Sequence, residues 1–286
     1  MDVWREPSIL VTVVVSALWY WRGSRRPTLR AVGRPRRRVI PWRGVSFGGG
    51  LVTILVALDS PLERLADDLF WAHMLQHVLL MIVAAPLIVL GAPWMRFWRP
   101  LPLGLRRALA RTVVKSPSLA WLRTTARFVA APVPAWILFN ANLAAWHLPP
   151  AYDLTLRNGS VHYTEHLLFL LLGLLFWAQV VDSPPFHARL APFGRVIYSA
   201  AGSAAGWLLA VVLALSTTPL YPAQHAGHHG LSALADQQVA AGVMWGPGSI
   251  PYAVIVFYWL YVWLGADEPR RKPRELRRSA AGSGAS

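Results

Sequence analysis

Apolar residues in this chain gather into runs whose length matches a membrane. Seven such runs lie near residues 8–21, 44–60, 70–92, 129–147, 160–181, 195–216 and 237–264. About 20 consecutive apolar residues cross a bilayer as a helix, so the pattern predicts an all-α integral membrane protein, a bundle of about seven transmembrane helices. The first two runs are short. The second carries Gly48, Gly49 and Gly50, which suits close packing against another helix. Between the runs the periodicity changes. Ser60 to Asp68 reads as a short helix start, with Pro61 in its first turn and Glu63, Asp67 and Asp68 as acids. Leu105, Leu109, Val113 and Val114 alternate with Arg106, Arg107 and Arg111 at helical spacing. That pattern predicts a basic amphipathic helix lying on a membrane surface.

Charge sets the expected orientation. A net charge of +15 raises nucleic acid as a partner, but the placement of the charge argues against it. When the segments between runs are assigned alternately to two sides, 25 of the 28 Lys and Arg residues fall on one side. They sit in loops 22–43 and 94–128, near Arg189 and Arg195, and after Ala266. This is the positive-inside pattern, and it predicts the N-terminus outside and the C-terminus inside. The basic loops then face anionic lipid head groups. No aromatic-rich basic groove accompanies the arginines, so no nucleic-acid partner is expected. The N-terminal flank carries Asp2 and Glu6, unlike the positive start of a cleavable signal, so the first run reads as an anchor. Residues 1–266 are expected to form one membrane domain. Residues 267–286 read as a basic, disordered cytoplasmic tail. Trp71, Trp94, Trp98, Trp146, Trp177 and Trp245 lie near run ends, as interfacial belts do.

The candidate chemistry lies in the histidines. Eight of the nine fall on the side expected to face outward, and only His187 does not. His73 and His77 are four residues apart, as are His162 and His166, so each pair shares one helical face. Glu165 lies between the second pair. Polar groups at membrane depth are costly and are usually functional. Two histidines at this spacing can share a metal, and Glu165 could ligate, accept an imidazole N–H or take a proton. Either pair also has an ordinary reading as interfacial residues. His147 closes the fourth run, where a helix C-terminus favours a cation. Asp236 opens the seventh run, where an N-cap is as good a reading as ligation. His225, His228 and His229 crowd one outer loop and could capture metal. Met74 and Met244 could offer thioethers, although methionine in such helices usually fills gaps. There is no cysteine, so any ligands must be imidazole, carboxylate or thioether.

Several of these stretches together resemble the CtaG family. They are Phe70 through Ala72-His73-Met74-Leu75-Gln76-His77 to Ala84-Ala85-Pro86-Leu87, then Trp146-His147-Leu148-Pro149, Glu165-His166, Asp236-Gln237-Gln238, Ala241-Gly242 and Met244-Trp245-Gly246-Pro247-Gly248. The members are multi-span bacterial membrane proteins named as assembly factors for caa-type cytochrome c oxidase. The resemblance implies residence in the bacterial plasma membrane and oxidase maturation, with copper handled at the outer face. It also implies oxidase subunits or other assembly factors as partners. The residues themselves imply only an outward imidazole-rich site, with His73, His77, His147, His162, His166, Glu165 and Asp236 as candidate ligands. Imidazole suits copper, zinc and iron alike. Two alternatives therefore stand beside a non-enzymatic copper-transfer protein. One is a membrane zinc hydrolase of lipid amides or esters, similar to the alkaline ceramidase group, with Glu165 or Asp236 as base. The other is a haem-binding electron carrier with axial histidines.

Overall fold

The structure is a computed structural model, and it describes residues 7–25, 42–221 and 230–265. Among these residues it is all-helical, with no strand. The helices in chain order are α1 (Pro7–Arg25), α2 (Trp42–Leu58), α3 (Pro61–Asp68), α4 (Phe70–Val78), α5 (Ala85–Gly91), α6 (Trp94–Trp98), α7 (Leu103–Lys115), α8 (Ala120–Val129), α9 (Pro132–Trp146), α10 (Pro149–Arg157), α11 (Gly159–Trp177), α12 (Pro192–Leu215) and α13 (Ala233–Gly265). Many of the starts are written locally. Pro61, Pro132, Pro149 and Pro192 each open a helix, where the missing N–H costs nothing. Ser60 Oγ accepts the Leu62 N–H to cap α3, and the Asn158 side chain accepts from Ser160 and Val161 to cap α11. Pro149 begins α10, a short helix with no counterpart in the apolar pattern.

Among the described residues, four helices are long and apolar enough to cross a membrane: Phe70–Gly91, Gly159–Trp177, Pro192–Leu215 and Ala233–Gly265. The number rises to six if each of two bent pairs is one span. Those pairs are Trp42–Leu58 with Pro61–Asp68, bent by 44°, and Pro117–Val129 with Pro132–Trp146, bent by 75°. α1 is not among them.

The helix Phe70–Gly91 is the axis of the bundle. Its apolar window is 72% buried, against 22–28% for the other three long helices. It contains a π-helical turn, Leu79–Ala84, between α4 and α5. Pro86 accounts for the consequence of that turn. In the π register the Ala85 N–H reaches Leu80 O, five residues back. The next bond would run from residue 86 to Met81 O, and proline has no N–H to give. Met81 O instead accepts the Trp177 indole N–H of α11 at 2.8 Å. A helix defect thus becomes an interhelix bond, as π-bulges often do near functional sites. Beside it, Gly173 lets α11 approach closely. A Cβ there would stand 3.1 Å from Met81 Cα and from Ala85 Cβ.

The two ends of the bundle differ in chemistry. At one end Phe70, Tyr152 and Tyr221 pack together edge-on and tilted, and the Tyr221 hydroxyl donates to His147 O. At the other, Arg195 uses all five guanidinium N–H groups. It donates to Leu190 O, Val180 O, Ala188 O and both Asp182 oxygens, and it lies over the Trp259 ring. α7, expected as the basic amphipathic helix, forms as such and buries none of its residues. The expected tail, most of loop 22–43 and the His225-His228-His229 loop lie outside the described residues.

Candidate metal centre

Four buried ligand-bearing side chains meet near one end of the central helix. His73 and His77 project from α4 at i,i+4 spacing, and Glu165 and His166 come from α11. One donor atom from each lies within 4.8 Å of all the others. Every member is almost fully enclosed, Glu165 completely. Glu165 bridges the α4 pair: Oε2 is 3.4 Å from His73 Nε2 and Oε1 is 3.5 Å from His77 Nε2. The ring centres of His77 and His166 are 5.5 Å apart.

His162 adjoins the group. Its ring stacks on His73 at 5.0 Å and lies 4.3 Å from His166. His147, at the end of α9, stands further off, with its ring 6.3 Å from His77. Its Nδ1 donates to Leu143 O at 2.7 Å, and its Nε2 is 3.0 Å from the Met74 sulfur. Asp236 is buried but belongs elsewhere. Its two oxygens accept the Phe70 N–H at 2.8 Å and the Trp71 N–H at 2.9 Å. It therefore caps the start of α4 from its own place in the first turn of α13, a helix far from α4 in sequence. His187 is exposed at the opposite end, 3.9 Å from Asp182.

Two further residues close the site, neither of them among the candidate ligands. Tyr152, on α10, packs edge-on to His73 at 5.2 Å. Gln76 lies between the two α4 histidines in sequence and is fully buried. It donates to Ala57 O and to Glu63, tying α4 to α2 and α3.

The donor set fits a cation. Both nitrogens of His73 and His77, one each of His162 and His166, and both oxygens of Glu165 are buried without an aligned hydrogen-bond partner in the protein. Each such atom costs about 1–3 kcal/mol unless something pairs with it. Three imidazoles and a carboxylate are ligands that copper, zinc and iron all accept. Next to the group, an apolar cleft of about 720 Å³ runs between α1, α2, α5 and α11 and ends on His166 and Tyr163.

The sequence model of the cytochrome c oxidase caa3 assembly factor family matches residues 17–266. The chain belongs to that family. The matched range contains both histidine pairs, Glu165, His147 and Asp236. Family membership and the long apolar helices together make this a membrane protein. Uncharacterised proteins of Mycobacterium bovis and Mycobacterium tuberculosis are each 25% identical to it over 274 residues, covering 93% of this chain. One from Mycobacterium leprae is 25% identical over 284 residues. The chain spans about two fifths of the length of these curated relatives, 40% in each case. No solved structure matches it.

Proposed function

We propose that this family member is a plasma-membrane assembly factor that holds copper at His73, His77, Glu165 and His166 and assists its insertion into a cytochrome c oxidase. The observation that carries the reading is the convergence of these four buried groups, from two helices, within 4.8 Å. Copper is the cargo, and imidazole nitrogens with one carboxylate are ligands it accepts. Glu165 offsets part of the ion's charge in a site shielded from water. His162, stacked on His73, adds a donor at the edge of the set. Asp236 is a support rather than a ligand: by fixing the start of α4 it fixes where His73 and His77 stand.

In this reading residues 1–266 form one domain of seven spans, with α1 as the first. The N-terminus is outside and the C-terminus inside, so the copper group faces outward. The basic segments, α7 among them, lie against anionic lipid, and the partners are oxidase subunits or other assembly factors. Oxidase activity in cells tests the function. Cells whose only copy carries His77→Ala or His166→Ala should insert the protein and lack mature oxidase, with activity restored by added copper or by the unaltered protein. Full oxidase activity in both variants would remove the proposal.

The apolar cleft ending on His166 favours one second reading, a zinc hydrolase with a lipid substrate lying in the cleft. Zinc would supply an activated water and Glu165 would handle its proton. Purified zinc-loaded protein that releases fatty acid from lipid amides or esters would support this reading over copper transfer.

A further inference from the structure

His147 and Met74 make a contact that the four-residue group does not use. A backbone carbonyl can only accept, so the 2.7 Å contact of His147 Nδ1 with Leu143 O puts the ring proton on Nδ1. In the neutral ring, Nε2 then carries a lone pair. That lone pair faces the Met74 thioether sulfur at 3.0 Å, and both residues are buried. Two electron-pair donors facing each other at this distance call for a cation. Two donors bound to one ion at about 2.0–2.3 Å stand roughly 3–4 Å from each other. The contact borders a cavity of about 40 Å³ between α4, α9, α12 and α13, whose lining includes Met81, Met244 and His77. Three of the chain's five methionines therefore surround one small space. Thioether donors select soft monovalent ions, copper(I) above all.

We propose that His147 and Met74, completed by Met81 or Met244, form a second metal site that takes a monovalent soft cation. It lies beside the His/Glu group, and His77 borders both. The identity of the ion as copper rests on the proposed function above. The donor set alone calls for a soft monovalent ion. The arrangement puts a reduced-copper site next to an imidazole–carboxylate site, with a single side chain between them. His77 could then pass a monovalent ion from one to the other by turning its ring, with no change of oxidation state. The competing occupant of the His147 lone pair is a proton, which would leave an ordinary weak N–H···S contact.

The test uses full-length protein in detergent micelles, labelled with ¹³C at the methionine methyl groups and titrated with silver(I). Assignments come from single Met→Leu variants. The Met74 signal should shift, together with Met81 or Met244, while Met95 at the opposite end stays in place. Met74→Leu should weaken silver binding at this site by about tenfold or more. His166→Ala should leave the Met74 shift intact even if it removes metal from the His/Glu group, so the two sites fail separately. A Met74 signal unmoved at saturating silver would overturn the proposal. So would a Met74→Leu variant that binds silver as the unaltered protein does.

Discussion

Asp236 accepts the backbone N–H of Phe70 at 2.8 Å, across 166 residues of sequence. With Trp71 bound to the other oxygen, one carboxylate pairs two of the N–H groups that a helix start leaves free. The anion also sits where the α4 dipole favours it. Removing it as Asp236→Ala should lower the stability of the protein in detergent by about 1–2 kcal/mol, the usual cost of losing a helix cap. Asp236→Asn, with one accepting oxygen, should fall between. Thermal unfolding of the three proteins checks this. A ligand role would give the opposite result: Asn would lose the metal while keeping the melting temperature.

Arg195 supports the other end. Its bonds hold the Asp182–Leu190 segment to α12, and none of its five donors is spare. Arg195→Lys cannot reproduce the planar fork, so it should destabilise the protein clearly while leaving metal content unchanged. Partial burial acts to raise the Asp182 carboxyl, but the Arg195 bonds and the Ala188 N–H outweigh it and hold the carboxyl below its ordinary value. A depressed carboxyl adds stability above its unfolded value, about 4, and that stability is lost as pH falls through the lower folded value. A plot of melting temperature against pH should therefore decline on the acid side, and the decline should be shallower in Arg195→Lys.

α7 carries Leu105, Leu109, Val113 and Val114 exposed, alongside Arg106, Arg107 and Arg111. Each basic residue near an anionic leaflet adds about 1 kcal/mol of attraction. Replacing the three arginines by glutamine should increase protease cutting of residues 103–115 in anionic vesicles and leave metal binding alone. Equal cutting rates before and after replacement would count against a surface-bound helix.

Orientation has its own check. Reporter fusions after Ala266 and within 22–43 should both report the cytoplasm. An outside signal from either would reverse the topology and put the histidine group on the inner face.

The apolar runs were legible because bilayer thickness imposes their length. The central run, read as 70–92, is the helix Phe70–Gly91, and the run read as 160–181 covers α11 except for its first residue, Gly159. The pairing of His73 with His77, and of His162 with His166, follows from helical spacing alone. Their approach to one another comes from the packing of α11 on the central helix. Other features depend on partners distant in sequence. Asp236 looks like the cap of its own helix until the fold sets Phe70 against it. Tyr152 and Gln76 look like ordinary interfacial residues until burial closes over them. The π turn is half legible: Pro86 is visible, but the Trp177 indole that takes up Met81 O lies 96 residues away.

Metal content tests the central claim most directly. The protein purified from membranes and equilibrated with copper(II) should retain the ion after exhaustive dialysis, and so should His187→Ala. His77→Ala and His166→Ala, inserted and folded, should lose it, since each removes one of the donors that lie within 4.8 Å of one another. If both variants keep the same copper per chain as the unaltered protein, then His73, His77, Glu165 and His166 are a packed polar core and not a metal centre.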